Sequence, residues 1–200
     1  MVRTIAKDHD DKRSQILNTA ARVFARDGFD RTSMNQIADA CGISKANIYH
    51  YYRGKDALLF GLLEGYLCEL RDRVLQADDP SLPTEARFTL ALREVLRAYQ
   101  GADDHHRLQV SGVDALPDDQ QETLRGYQRT LVTHFSSLLK QIAPDRLADK
   151  KSLRDATMSV FGMLNWYFMW NAGAGTKARE DYAQFVSDLT LNGLKNQHDA

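Results

Sequence analysis

The sequence predicts an all-α chain of about nine helices, a small N-terminal three-helix domain followed by a larger C-terminal helical bundle. Three observations carry that reading. Apolar residues recur at three- and four-residue spacing along nearly the whole chain, glycines, prolines and capping residues cut that pattern into helix-length segments, and no segment alternates with a period of two. With 200 residues, 43% of them hydrophobic and 26% charged, the chain can form a small head and one larger core, and four prolines without any extended Pro/Gly/Ser tract leave little room for a linker. The division is placed at residues 1–54 and 55–200, and there is no internal repeat.

The first eleven residues are polar and expected to fray, with Arg3 and Lys7 available as a loose arm for phosphates. Residues 12–27 then put Ile16, Leu17, Ala20, Ala21 and Phe24 on one face, and Gly28 stops the helix. Residues 33–52 read as two short helices joined by a tight turn. Ser33 and Gln36 have capping-box spacing, so a helix starts near Met34 with Ile37, Ala38 and Cys41 inward. Gly42 suits the positive φ that follows a helix end, and Ile43 closes the turn against the core. Ser44 caps the next helix. Ile48 and Tyr52 face its core, leaving Lys45, Ala46, Asn47, Tyr49, His50 and Tyr51 around the outside.

Two helices joined in this way form a helix-turn-helix, and the polar outer face of the second assigns double-stranded DNA as partner. Residues near the N-terminus of a recognition helix reach base edges: Lys45 can donate to guanine O6 or N7, Asn47 can pair bidentately with adenine, and Ala46 can meet a thymine methyl. Tyr49, His50 and Tyr51 are better placed for phosphates. Ser33 and Ser44 at the two helix starts, and Lys55 at the start of the next helix, complete the DNA-binding set and fix register without reading sequence. A three-helix packing unit without DNA affinity is the alternative, and the agreement of caps, glycine and polar outer face argues against it. Charge leans the same way: residues 1–60 hold ten Lys/Arg against seven Asp/Glu, while residues 61–200 hold sixteen against twenty, within a net charge of -1.

Beyond Gly54 the helical pattern continues. Residues 55–76 present Leu58, Leu59, Leu62, Leu63, Tyr66 and Leu70, forming a long helix that links head to body. Residues 78–83 are a breaker, Thr84 is expected to cap a helix to about Tyr99, and a shorter segment, 103–114, ends at Leu116-Pro117. Asp118 is expected to cap a helix to about Ile142, and the last two helices cover about 150–172 and 177–196. In the penultimate helix residues 161–170 are apolar on nearly every side, so this helix is expected to pack against its own bundle and against a second copy of the chain. Phe161 and Gly162, with Tyr182, Phe185, Val186, Leu189 and Gly193 of the last helix, are the candidate dimerisation residues of a four-helix interface. A single buried core helix in a monomer is the other reading.

Residues 48–59, Ile-Tyr-His-Tyr-Tyr-Arg-Gly-Lys-Asp-Ala-Leu-Leu, follow the helix-turn-helix and a first helix ending Phe-Ala-Arg-Asp-Gly-Phe. Together these residues resemble the tetracycline-repressor (TetR) family of bacterial one-component regulators, closely over about residues 12–62. The resemblance implies an all-helical homodimer, a DNA-binding domain of the first three helices, and a divergent C-terminal domain that binds a small inducer. Cys41 and Ala46 occupy positions that the family varies. The run Phe-Gly-Met-Leu-Asn-Trp at 161–166, Trp170 and the closing Leu-Thr-Leu-Asn-Gly-Leu at 189–194 are similar to the subset that senses acyl-CoA thioesters of fatty-acid, phenylacetate and steroid catabolism.

An apolar pocket with a few polar anchors suits such an inducer. Phe88, Leu92, Leu96 and Tyr99 of one helix, Tyr127, Leu131, His134 and Phe135 of another, and Met163, Trp166 and Trp170 of the penultimate helix are its candidate lining. Arg93, Arg97, Arg107, Arg125 and Arg129 are candidates for the coenzyme's phosphates, with solvated surface arginines as the plainer reading. The expected protein is a transcriptional repressor freed from a palindromic operator by its ligand, through a shift of the helix at 55–76. A regulator of efflux or detoxification genes answering an apolar drug-like ligand is the alternative, and a ligand-independent DNA binder the distant one.

Other chemistries fare poorly. Residues 173–178 match G-x-G-x-x-A but follow a helix without any βαβ frame, so they read as an interhelix turn. Adjacent His105 and His106 point about 100° apart on a helix, unlike an i, i+4 metal pair. No G-x-S-x-G, P-loop, catalytic group, cofactor or metal site is expected. Cys41 and Cys68 lie far apart in helical contexts, with neither a C-x-x-C partner nor an evident basic cluster, which points to reduced thiols and a cytoplasmic protein. No export signal or membrane span is expected, and no membrane partner.

Overall fold

The computed structural model describes residues 2–195, with side chains described over 11–109 and 112–195. Among the described residues there are nine α-helices, one short 3-10 turn and no strand. The helix α1 (Val2–Asp27) ends where Gly28, at φ +86°, donates its amide to Phe24. It starts ten residues before the expected start at 12, and the reason is local: residues 2–11 contain no proline or glycine, so nothing stops the helix propagating backward through them. Arg3 and Lys7, expected as a phosphate arm, have side chains outside the described residues.

The helix-turn-helix forms as its sequence dictates. The helix α2 (Met34–Ala40) has both halves of the capping box: Gln36 N–H donates to Ser33 Oγ at 3.3 Å, and Ser33 N–H donates to Gln36 Oε1 at 2.8 Å. At its other end Gly42, at φ +64°, donates to Asp39 O at 3.1 Å and Ile43 to Ala38 O at 3.0 Å. These paired bonds satisfy the last free carbonyls and turn the chain sharply into α3 (Lys45–Tyr51). Ser44 caps α3 through the amide of Asn47.

Two compact packing units follow, one comprising residues up to Tyr66 together with Asp104–Leu124, the other Leu67–Asp103 together with the residues from Arg125 onward. In the first unit, α4 (Lys55–Gln76) buries Leu58, Leu59, Leu62 and Leu63, each with 2% exposure or less, together with Ile16, Ala20, Phe24, Ile37 and Ile48. Burial of each such leucine is worth about 1.5–3 kcal/mol. The same unit includes α6 (Asp103–Ser111) from its second residue, and the 3-10 turn Val113–Ala115. A Cβ on Gly112 would stand 2.8 Å from Leu108 O and 3.6 Å from Leu59, so only glycine fits where α6 closes on α4. Packing therefore groups α6 and the first half of α4 with the three N-terminal helices.

The second unit is built on α5 (Thr84–Ala98) against α9 (Thr176–Lys195), with α8 (Lys150–Trp170) and most of α7 (Asp118–Ile142). Across the α5–α9 seam Thr89 and Ser187 share a hydrogen bond of 2.7 Å, Arg93 donates to Gln184 at 2.8 Å, and Arg97 pairs with Glu180. Two expected caps are corrected. Thr84 is the first residue of α5, and Pro83 holds the cap position without a side-chain bond, its ring fixing φ at -55°. Asp118 is likewise the first residue of α7, whose first carbonyl acceptor is Pro117. Asp149 does cap α8, accepting from the amides of Lys151 and Ser152 at 2.9 Å.

Candidate functional site

The head presents one outward polar face. Ile48 is completely buried and Tyr52 nearly so, which fixes the rotation of α3 about its axis. Lys45, Ala46, Asn47, Tyr49 and His50 are consequently exposed, and Tyr51 is half-buried with its ring edge-on to His50 at 5.6 Å. Ser33 and Ser44 are also exposed, each with its hydroxyl engaged by its cap. The phenol of Tyr52 accepts from Arg13 Nε at 3.3 Å, tying α1 to the end of α3.

Lys55 behaves differently from the rest of that set. Its ammonium donates to Phe29 O and Asp30 O, both at 3.1 Å, and lies 4.6 Å from the Phe29 ring centroid. Two of its three protons thus brace the loop before α2, a structural duty that its position after Gly54 did not signal.

The candidate ligand residues all lie in the second unit but do not form one class. Phe88, Leu92, Leu96, Tyr99, Leu131 and Phe135 are buried within 4% exposure, with Phe135 edge-on to Phe88 at 6.0 Å and to Phe161 at 5.1 Å. Tyr99 donates to Asn165 Oδ1 at 2.8 Å, and burial pushes its phenol well above the ordinary pKa. Tyr127 is half-buried under the guanidinium of Arg71, 4.7 Å from its ring centroid. His134 is half-buried with Nε2 sealed and unpaired, and desolvation lowers its pKa, with Asp78 raising and Arg87 lowering it. Met163 is half-buried.

Trp166 and Trp170 correct the expectation, for they stand 63% and 67% exposed on the outside of α8 instead of facing an interior pocket. Met158 and Met169 join them, and Phe185 and Leu189 of α9 are 59% and 53% exposed. Tyr182 belongs to the same face, stacked on Tyr167 at 4.3 Å and edge-on to Trp170 at 5.6 Å, while Gly162 and Gly193 are open beside it. Two other members of the expected dimer set point the opposite way: Phe161 is 8% exposed and Val186 fully buried, so both are core residues beneath this face. The physical reason is angular. Residues 158, 162, 166 and 170 recur every four positions and share one stripe, whereas 161, 164 and 168 form the stripe against α7 and α9. Met158 and Met169 were not among the expected interface residues, although helical spacing places them on the outer stripe.

Several charged and thiol groups also settle. Arg97 pairs with both Glu94 and Glu180 and is not poised for a phosphate. Cys41 is buried, and desolvation raises its thiol's pKa. Cys68 has one basic neighbour, Arg71, one turn along α4, which donates to its Sγ at 3.2 Å and is itself bonded to Asp72. Arg179 was unremarked in the sequence and is 1% exposed; it donates Nε to Ala174 O at 2.9 Å and pairs with Asp103 at 3.4 Å. Residues 173–175 form the turn between α8 and α9, with Gly173 at φ +72°.

Comparison with known proteins returns consistent matches. Residues 16–62 match the model of the bacterial regulatory proteins of the tetR family, and residues 81–194, more than half the chain, match the tetracyclin repressor-like C-terminal domain. A crystal structure of a TetR-family transcriptional regulator from Bordetella parapertussis is 34% identical, covers 94% of this chain and 98% of its own, and superposes with a TM-score of 0.85. The HTH-type transcriptional repressor KstR2 of Rhodococcus jostii is 25% identical over 94% of this chain and 93% of its own length. A structure of AibR in complex with isovaleryl coenzyme A and operator DNA has the same fold, with a TM-score of 0.75 at 22% identity, over 89% of this chain and 97% of its own.

Proposed function

Since the chain belongs to the TetR family of bacterial transcriptional regulators, and is a DNA-binding regulator and not an enzyme, we propose that it is a repressor that binds a palindromic operator as a homodimer and is released by an acyl-CoA thioester. The observation that carries the DNA half is the rotation of α3: burial of Ile48 and Tyr52 leaves Lys45, Ala46 and Asn47 outward at the N-terminal end of the recognition helix. Those three read bases, and Tyr49, His50, Tyr51 and the helix starts at Ser33 and Ser44 set register on phosphates.

The exposed face of α8 and α9 supports the dimer. Six large apolar side chains more than half exposed on two neighbouring helices are a surface that a monomer seldom leaves to water. A second copy covers it with the same surface, and a two-fold dimer suits an operator whose half-sites lie about 34–36 Å apart. Binding to chromosomal DNA places the protein in the cytoplasm, and among the described residues no helix is long and apolar enough to cross a membrane.

For the ligand, the likeness of residues 161–170 and 189–194 to thioester-sensing regulators supports an acyl-CoA, and so does the isovaleryl coenzyme A bound by AibR, a protein of the same fold. Release is then a population shift, which needs the ligand to bind the DNA-free state more tightly than the DNA-bound one. A second reading, an apolar drug-like ligand and an efflux or detoxification target, is favoured by one observation: Arg97 and Arg93 are already engaged by Glu94, Glu180 and Gln184. Fluorescence anisotropy of labelled upstream DNA decides between them. Release by a medium-chain acyl-CoA and not by apolar drugs is the expected result; operator binding indifferent to every thioester removes the acyl-CoA reading and spares the repressor.

A further inference from the structure

A cleft of about 350 Å³ opens within the first packing unit, between the C-terminal ends of α1 and α6. Small residues make the room. Ala25 and Gly28 on one wall, with Gly112 and Ala115 on the other, omit the side chains that would close it. Phe24, Phe29 and Leu108 line it with apolar surface, the two rings 5.1 Å apart and tilted by 59°. The main-chain acceptors beside it are already spent: Thr32 Oγ1 donates to Gly28 O at 2.8 Å, and Lys55 holds Phe29 O and Asp30 O. What the lining presents to a ligand is therefore one side-chain charge of each sign. The Asp30 carboxylate comes from the loop before α2 and the Arg107 guanidinium from α6.

We infer that this cleft binds a free α-amino acid with an apolar side chain. Its ammonium meets Asp30, its carboxylate meets the forked donors of Arg107, and its side chain lies on Phe24, Phe29 and Leu108. The charge pattern disfavours simpler ligands. A monocarboxylic acid brings its charge beside Asp30, an amine brings its own beside Arg107, and an uncharged amphiphile satisfies neither. Size argues the same way: small-molecule sites span about 300–1,000 Å³, and a cleft near the lower limit suits a metabolite and not a coenzyme. The site stands apart from the candidate ligand residues of the second unit, so the inference does not depend on the acyl-CoA reading. Asp30 lies three residues before Ser33, the cap of α2, and an occupant thus joins α6 to the segment that leads into the helix-turn-helix.

Isothermal titration calorimetry on the full-length protein compares L-phenylalanine with hydrocinnamate, which lacks the ammonium, and with phenethylamine, which lacks the carboxylate. Phenylalanine is expected to bind with a stoichiometry of one per chain and about tenfold more tightly than either analogue. Asp30→Asn is expected to remove the advantage over hydrocinnamate, and Arg107→Gln the advantage over phenethylamine. Ala115→Phe fills the exposed mouth of the cleft and is expected to abolish binding while leaving the unfolding midpoint of the ligand-free protein unchanged, which separates a blocked cleft from a damaged fold. No binding of phenylalanine, equal affinity for all the compounds, or binding that survives Ala115→Phe overturns the inference. If a charge variant does not fold, the wild-type comparison and Ala115→Phe still decide. The titrations contain no DNA, so failure here leaves the repressor reading untouched.

Discussion

The amide of Asn47 donates to the Ser44 hydroxyl at 3.2 Å, so the residue best suited to read a base is anchored by the cap of its own helix. Asn47→Ala removes the proposed reader and keeps the anchor. It is expected to cost about 1–3 kcal/mol against the cognate base pair and to leave affinity for scrambled DNA nearly unchanged. Competition binding with single-base operator variants checks this, and an equal loss on cognate and scrambled DNA contradicts the base-reading role. Ser44→Ala does the reverse, costing about 1 kcal/mol of stability and weakening all sequences together.

The exposed and buried stripes of α8 and α9 give a paired prediction. Trp166→Glu places a charge on the exposed face and is expected to yield a folded monomer by light scattering, with operator binding lost. Val186→Glu buries the same charge inside one subunit and is expected to unfold the chain instead. Normal dimers from Trp166→Glu contradict the interface.

Arg179 is buried at the start of α9 with its guanidinium shared among Ala174 O, Leu96 O and Asp103. Asp103→Ala leaves that cation without its counter-charge, and the expected loss is about 3 kcal/mol in urea unfolding. A loss below about 0.5 kcal/mol marks the pair as solvent-screened.

His134 makes stability pH-dependent. Desolvation lowers its folded pKa below the ordinary 6.5, with Arg87 adding to the effect and Asp78 opposing it. Below 6.5 the unfolded chain therefore binds more protons than the folded one, and stability falls as pH drops from 7.5 to 5.5. His134→Gln is expected to flatten that slope in urea titrations at the two pH values; an unchanged slope assigns it to other groups.

Local chemistry made the head legible. Ser33, Gln36, Gly42 and Ser44 each act within four residues of themselves, so their spacing alone fixed the caps and the turn that the structure contains. The body was legible as helices but not as faces. Trp166 and Val186 look alike in an apolar run, and which one reaches solvent depends on how α8 and α9 are rotated against α5 and α7. Longer-range partners were invisible for the same reason: nothing near Lys55 signals the carbonyls of Phe29 and Asp30, and nothing near Arg179 signals Asp103.

A dimer that reads palindromic DNA is revealed by selection from a random duplex library. Enrichment is expected for an inverted repeat with half-site centres about 10 base pairs, or a multiple of that, apart. Enrichment must also fall away when the selection is repeated with Trp166→Glu. Enrichment of a lone half-site, or of no sequence at all, contradicts it.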